Sequence, residues 1–195
     1  MRERNVHLVR HGETDWNKES RIQGRGKDIP LSDVGREQIR KLRDELGDVS
    51  ITRIVTSPLS RALESADLIA EKIGVPVSVY EGLAERSLGD YEGRRAPEVQ
   101  AEFPPDIVWH EQTPPNGESL DDFRSRIVGT FSSILADHPS EDLLVVCHGW
   151  VIRELKRHLT GMASATHDGY DIENATIYTF EVPTTESEIP GSISE

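Results

Sequence analysis

Leu8-Val9-Arg10-His11-Gly12-Glu13-Thr14 carries a short apolar run, Val6-His7-Leu8-Val9, onto an arginine, a histidine and a glycine. A run of this kind reads as a strand, and open α/β sheets hold their ligands in the crevice beyond the carboxyl ends of such strands. At that position His11 can present one ring nitrogen to a ligand. Gly12 lets the backbone come close because no Cβ blocks the approach, and Arg10 adds a planar fork of donors that stays charged at any working pH. The stretch predicts a strand end suited to an anion. Whether it is a site depends on what the other strand ends deliver.

Further along, Ile54-Val55-Thr56, Val75-Pro76-Val77-Ser78-Val79 and Leu143-Leu144-Val145-Val146-Cys147 read as strands, the last apolar enough to be buried on both faces. Thr176 to Phe180 adds one with polar/apolar alternation. Helical patterns lie between them. Ser32 predicts a cap for a helix with Val34, Ile39, Leu42 and Leu46 on one face, ending at Gly47. Ser57-Pro58 reads as an N-cap and first helical residue, with Leu59, Ala62, Leu63, Ala66, Ile69 and Ile73 continuing to Gly74. Ser119 to Asp122 resembles a capping box before Phe123, Ile127, Phe131, Ile134 and Leu135, and a last helix follows His148-Gly149.

This alternation predicts an α/β fold with a mainly parallel sheet covered on both faces. Residues 1–182 are expected to form a single domain. Within it, residues 90–117 break the alternation with five prolines, Pro97, Pro104, Pro105, Pro114 and Pro115, and read as a lid-like excursion over the sheet's edge. Residues 183–195 read as a flexible acidic tail.

Composition narrows the partners. Among 195 residues, 22 Lys+Arg against 35 Asp+Glu give a net charge of −13, a field that repels polyanions and argues against nucleic acid. A small phosphate ester is still accessible, because distant surface charge is screened within about 8 Å at physiological salt. The single cysteine, Cys147, excludes an internal disulfide and favours the cytoplasm. No apolar run approaches the roughly 20 residues of a membrane span. No metal-ligand spacing is visible, no cofactor is expected, and the oligomeric state is left open, a homodimer among the options.

Four segments place polar groups where a parallel sheet gathers them: Arg10 and His11 with Asn17 and the loop Arg21-Ile22-Gln23-Gly24; Ser57-Pro58-Leu59-Ser60-Arg61; Leu83-Ala84-Glu85-Arg86; and His148-Gly149. With LVRHGETDWN, RIQG, PLSDVG, TSPLSRA, LAERSLGDYEG, NGES, VVCHG and the late Asn174 in this order, the chain resembles the histidine phosphatase superfamily, the phosphoglycerate mutase-like enzymes, from Val6 to Phe180. That resemblance implies a three-layer α/β/α sandwich on a mainly parallel, mixed sheet. It also implies His11 as a nucleophile that becomes a phosphohistidine, and Arg10, Arg61 and His148 as the groups around the phosphoryl oxygens. Asn17, Gln23, Gly24 and Gly149 would add donors, and Glu85 would serve as general acid and then base.

Within that family the implied activity is metal-independent hydrolysis of small phosphomonoesters. The alternatives are a cofactor-dependent phosphoglycerate mutase and a catalytically silent phosphoester-binding module. Mutases of the family carry a long basic insertion after the glutamate motif. Here Arg86, Arg94 and Arg95 stand among Asp90, Glu92, Glu98, Glu102, Asp106, Glu111 and Glu118, which favours hydrolysis. One departure concerns Trp150, where many phosphatases of the group have a second glycine; its indole is expected to narrow the pocket or to pack under the helix, the second being the more common. Cys147 is expected to be a small core residue, since consecutive strand residues face opposite sides.

Overall fold

The computed structural model describes residues 3–47, 49–161 and 172–183. Its elements run β1 (Glu3–Arg10), α1 (Asp15–Lys18), α2 (Asp33–Glu45), β2 (Arg53–Thr56), α3 (Ser60–Ile73), β3 (Val77–Val79), α4 (Ala96–Gln100), α5 (Leu120–Asp137), β4 (Leu143–Cys147), α6 (Gly149–Thr160) and β5 (Ile177–Pro183). The sheet order is β3-β2-β4-β1-β5. β4 sits at its centre, parallel to β1 from Val6↔Leu143 to Arg10↔Cys147 and parallel to β2 from Arg53↔Leu143 to Thr56↔Val146. β5 closes the β1 edge antiparallel, from Glu3↔Pro183 to Val9↔Ile177. The sheet is therefore mixed and mainly parallel.

Alternation along the strands sorts the core into two layers. Val6, Leu8, Val55, Leu143, Val145 and Cys147 face Phe123, Ile127 and Phe131 of α5 and Val151, Ile152 and Leu155 of α6. Val9, Ile54, Leu144 and Val146 face Ile39 and Leu42 of α2 and Ala62, Ala66 and Ile69 of α3. The three-layer α/β/α sandwich follows. β4 is buried along its whole length, as its continuous apolar run predicts. No helix among the described residues is long and apolar enough to cross a membrane.

Several local expectations shift. Val34 is 56% exposed, because the residue packed inward at the start of α2 is Gly35. A Cβ on Gly35 would lie 2.1 Å from the Glu13 carbonyl oxygen, and one on Gly12 would lie 2.4 Å from that of Gly35, so the turn after β1 and the helix touch backbone to backbone. α3 begins at Ser60 with Leu59 as its cap residue, not at Ser57-Pro58. Ser57 directly follows β2 and continues its bonding to β4, its N–H donating to the Val146 carbonyl at 3.1 Å. At Ser119 the hydroxyl caps the Asp122 N–H at 3.0 Å, but the Asp122 carboxylate takes that hydroxyl instead of reaching the cap backbone. A complete capping box forms instead at Thr14 and Asn17. β5 runs to Pro183, where the tail was expected to start; residues 184–195 lie outside the described residues.

The excursion is packed down. Gly89–Tyr91 and Trp109–Glu111 form single 3₁₀ turns around α4. Ile22, Leu88, Val99 and Trp109 make a small core of their own, joined by Tyr91, Ala96 and Phe103. Backbone bonds tie it to the loop after α1, the Ile22 N–H to Arg94 and the Gly93 N–H to Ile22 at 2.9 and 2.8 Å. The guanidinium of fully buried Arg86 donates to the carbonyls of Glu118, His110 and Gln112.

Candidate active site

A cleft at the carboxyl ends of the strands is lined by Arg10, His11, Asn17, Gln23, Gly24, Arg61 and Glu85, with Arg21, Ile22, Leu88, Trp109 and Trp150. His11 follows the last residue of β1 and its N–H donates to the Cys147 carbonyl at 3.1 Å, which fixes its backbone to the end of β4. Its Nδ1 lies 2.7 Å from the Gly12 carbonyl oxygen. A carbonyl only accepts, so Nδ1 carries the proton and Nε2 keeps the lone pair. Arg61, in the first turn of α3, donates from Nε to that Nε2 at 3.2 Å and from Nη2 to the Gly24 carbonyl at 2.8 Å. Burial first, then the charges of Arg61 and Arg10, hold the His11 pKa well below the usual histidine value. The ring is neutral near pH 7.

Arg10 donates from Nη1 to the Ile172 carbonyl. Arg61 is 1% exposed, and burial lowers its pKa to about 10, which leaves it cationic at neutral pH. Its Nη1 is buried without a hydrogen-bond partner among the described residues, and so is His148 Nδ1. Buried polar nitrogens in that condition are costly unless a ligand serves them. His148 is the cap residue of α6 and does not line the cleft; it stands behind His11, ring centroids 5.2 Å apart, with Nε2 2.6 Å from Ser57 Oγ. Its pKa is held well below the usual value by burial and then by Arg61. Gly149, the first residue of α6, is likewise off the cleft surface, with space for a Cβ 3.7 Å from Arg10 Nε.

Glu85 is 7% exposed; its Oε1 accepts from the Arg86 N–H at 2.9 Å and its Oε2 from the Trp150 N–H at 3.3 Å. Burial raises its pKa, partly offset by those bonds and by Arg61 and Arg10. Asn17 and Gln23 turn their side-chain oxygens toward Thr14, whose hydroxyl lies 3.0 Å from each and donates to one at a time. The NH₂ ends are then the ends left for an anion. Gly24, at φ +57, serves Arg61 through its carbonyl, where a backbone N–H toward the ligand was expected. Cys147 is buried in the core, and burial pushes its thiol pKa up.

Four residues take part in ways that sequence reasoning did not assign to them. Asn174 donates to the His11 carbonyl at 2.9 Å and to Asn17 Oδ1 at 3.4 Å. Ser57 holds His148. Glu92 accepts from the N–H groups of Arg25, Gly26 and Leu88 at 3.2, 2.8 and 2.9 Å, clamping the loop that carries Gln23 and Gly24. Trp150 borders the cleft, so its indole does more than pack under α6. Asn174, Ser57 and Glu92 each fall within the quoted motifs, and Trp150 stands out as a departure from the family pattern, but the contacts they make could not be read there.

A family model described as histidine phosphatase superfamily, branch 1, matches residues 6–190. The chain belongs to that superfamily. This histidine phosphatase is 36% identical over 156 residues to the uncharacterized phosphatase PhoE of Bacillus subtilis, covering 80% of this chain and 77% of the relative. It is 32% identical over 180 residues to the probable phosphoglycerate mutase GpmB of Cronobacter sakazakii, covering 88% and 82%. Among solved structures, mycobacterial glucosyl-3-phosphoglycerate phosphatase superposes with a TM-score of 0.80 at 30% identity, over 91% of this chain and 90% of that one.

Proposed function

We propose that this histidine phosphatase hydrolyses small phosphomonoesters, without a divalent metal, through a phosphohistidine on Nε2 of His11. The observation that carries the reading is the tautomer: Nδ1 is bound to the Gly12 carbonyl, so the lone pair of Nε2 faces Arg61 in the cleft. In the first step that lone pair forms a bond to phosphorus while the P–O bond to the alcohol breaks, and protonated Glu85 gives its proton to the departing oxygen. The raised pKa of Glu85 suits that task, and the negative charge of a bound phosphoryl group raises it further. In the second step Glu85, now a carboxylate, takes a proton from water. The water oxygen bonds to phosphorus, the P–N bond breaks, and inorganic phosphate leaves a neutral His11.

Arg10 and Arg61 offset the charge on the phosphoryl oxygens, the part that metal ions play in other phosphatases. Arg61 Nη1, Asn17 and Gln23 supply donors, with His148 supporting His11 from behind. The mutase alternative needs further cations for a substrate carboxylate. Arg94 pairs instead with Glu102, and neither Arg94 nor Arg95 lines the cleft. A silent module would have lost part of the set, whereas His11, Arg10, Arg61, Glu85 and His148 are all present.

Turnover of an aryl phosphate in excess chelator tests this reading, and complete loss of activity there would overturn metal independence. His11→Ala is expected to abolish both turnover and an acid-labile, base-stable phosphoprotein. Undiminished labelling of that variant would put the nucleophile elsewhere.

A further inference from the structure

The outer part of the cleft is walled by rings. Trp109 and Trp150 line it together with Ile22 and Leu88. Between the indoles stands the His110 imidazole, 5.3 Å from the Trp109 centroid and 5.0 Å from that of Trp150, edge to face in both pairs. Tyr91 extends the row at 5.9 Å from Trp109. The Trp150 indole is held in place, with the Arg153 guanidinium 4.5 Å from its centroid and that of Arg86 6.0 Å away. The Trp150 backbone N–H donates to Glu85 Oε2 at 3.3 Å, and both residues line the cleft, so the residue that carries this ring adjoins the group that would protonate the leaving alcohol.

Cations around this wall are already engaged. Arg86 serves three carbonyls, and Arg94 is paired with Glu102. Arg21, which borders the same cleft, is paired with Glu19 and donates to the Gly93 carbonyl at 2.8 Å. An alcohol bearing a carboxylate or a second phosphate therefore meets indole and aliphatic surface where it needs a free cation.

We propose that Trp150 is a specificity-determining residue and that the alcohol half of the preferred substrate carries an aromatic or similarly flat ring, seated against its indole. This rests on the phosphatase reading above. A packed aromatic pair supplies about threefold to tenfold discrimination, provided the ring is fixed before the ligand arrives, as the two guanidinium groups fix this one.

Benzyl phosphate and ethyl phosphate test the proposal, because both release an alkyl alcohol and differ mainly in the ring; 3-phosphoglycerate supplies the carboxylate arm. Trp150→Ala is expected to lower the ratio of kcat/KM for benzyl phosphate to that for ethyl phosphate by about threefold to tenfold. Trp150→Phe is expected to keep most of the benzyl preference. Trp150→Met, apolar but without a ring, is expected to lose it, and carries the comparison should the alanine variant not fold. Equal losses on both esters, no loss on either, or a wild-type preference for 3-phosphoglycerate over benzyl phosphate would each overturn the proposal. If the wild type hydrolyses none of the three, the phosphatase reading fails and takes this one with it. If it hydrolyses them with no dependence on the ring at position 150, only the specificity claim fails.

Discussion

The Nε–H of Arg61 donates to Nε2 of His11 across 3.2 Å, so one buried cation holds the lone pair on which the proposed reaction depends. A cation donating to that nitrogen opposes its protonation. Replacing it with a neutral side chain therefore raises the His11 pKa and moves the acid limb of the rate profile to higher pH. For Arg61→Gln, kcat/KM is expected to fall by about 10²- to 10³-fold at its optimum, with that limb displaced upward relative to the wild type. Profiles of both proteins on one aryl phosphate give the comparison; coincident limbs would mean that burial alone keeps His11 neutral.

Glu85 is distinguished by the leaving group. Glu85→Gln is expected to lower kcat/KM for benzyl phosphate by about 10²- to 10⁴-fold, and far less for p-nitrophenyl phosphate, whose phenolate departs without a proton. Because burial raises the Glu85 pKa and its protonated form is the acid, alkyl-ester turnover falls as pH rises through that value. Equal losses on the two esters would leave Glu85 without a role as proton donor.

Of the arrangement, the strand ends were the legible part. Apolar runs and their punctuation mark where β1, β2 and β4 stop, and of the residues beyond them the fold brings His11 and Arg61 to the cleft and sets His148 behind His11. What could not be read is how these groups are held, because the partners lie far away in the chain. Ser57 meets His148 across 91 residues, and its hydroxyl looks locally like a helix cap, which displaced the predicted start of α3. Glu92 clamps the Arg25-Gly26 loop from 66 and 67 positions away, with no periodicity to announce it. Val34 follows the helical pattern yet is exposed, since only a glycine at the next position allows α2 to touch the turn after β1.

That backbone contact predicts a stability effect. Gly35→Ala puts a methyl 2.1 Å from the Glu13 carbonyl oxygen, against main chain that cannot swing aside. A loss of about 1–3 kcal/mol is expected, read as a lower urea midpoint at unchanged m. An unaltered midpoint would show that α2 can slide away from the turn.

His7, His11, His148 and His158 all have pKa values lowered, in each case by burial first. The unfolded chain then binds more protons than the folded one wherever a free histidine titrates, near pH 6.5. The resulting stability is fully present above that range and is lost as pH falls through about 6.5 toward the folded-state values. The melting temperature is expected to drop between about pH 7.5 and 5.5, before most carboxylates titrate. A constant Tm over that interval, followed by calorimetry, would contradict the sign shared by the four shifts.

Arg86 fastens the excursion by carbonyl oxygens of residues 110, 112 and 118, groups that every amino acid carries. These three bonds are therefore blind to which side chains stand at those positions, while Val99 and Trp109 pack the rest of the segment. A different side chain at position 110 leaves the bond from Arg86 to that carbonyl in place. One arginine thus fixes the path of the segment beside the cleft without fixing its chemistry.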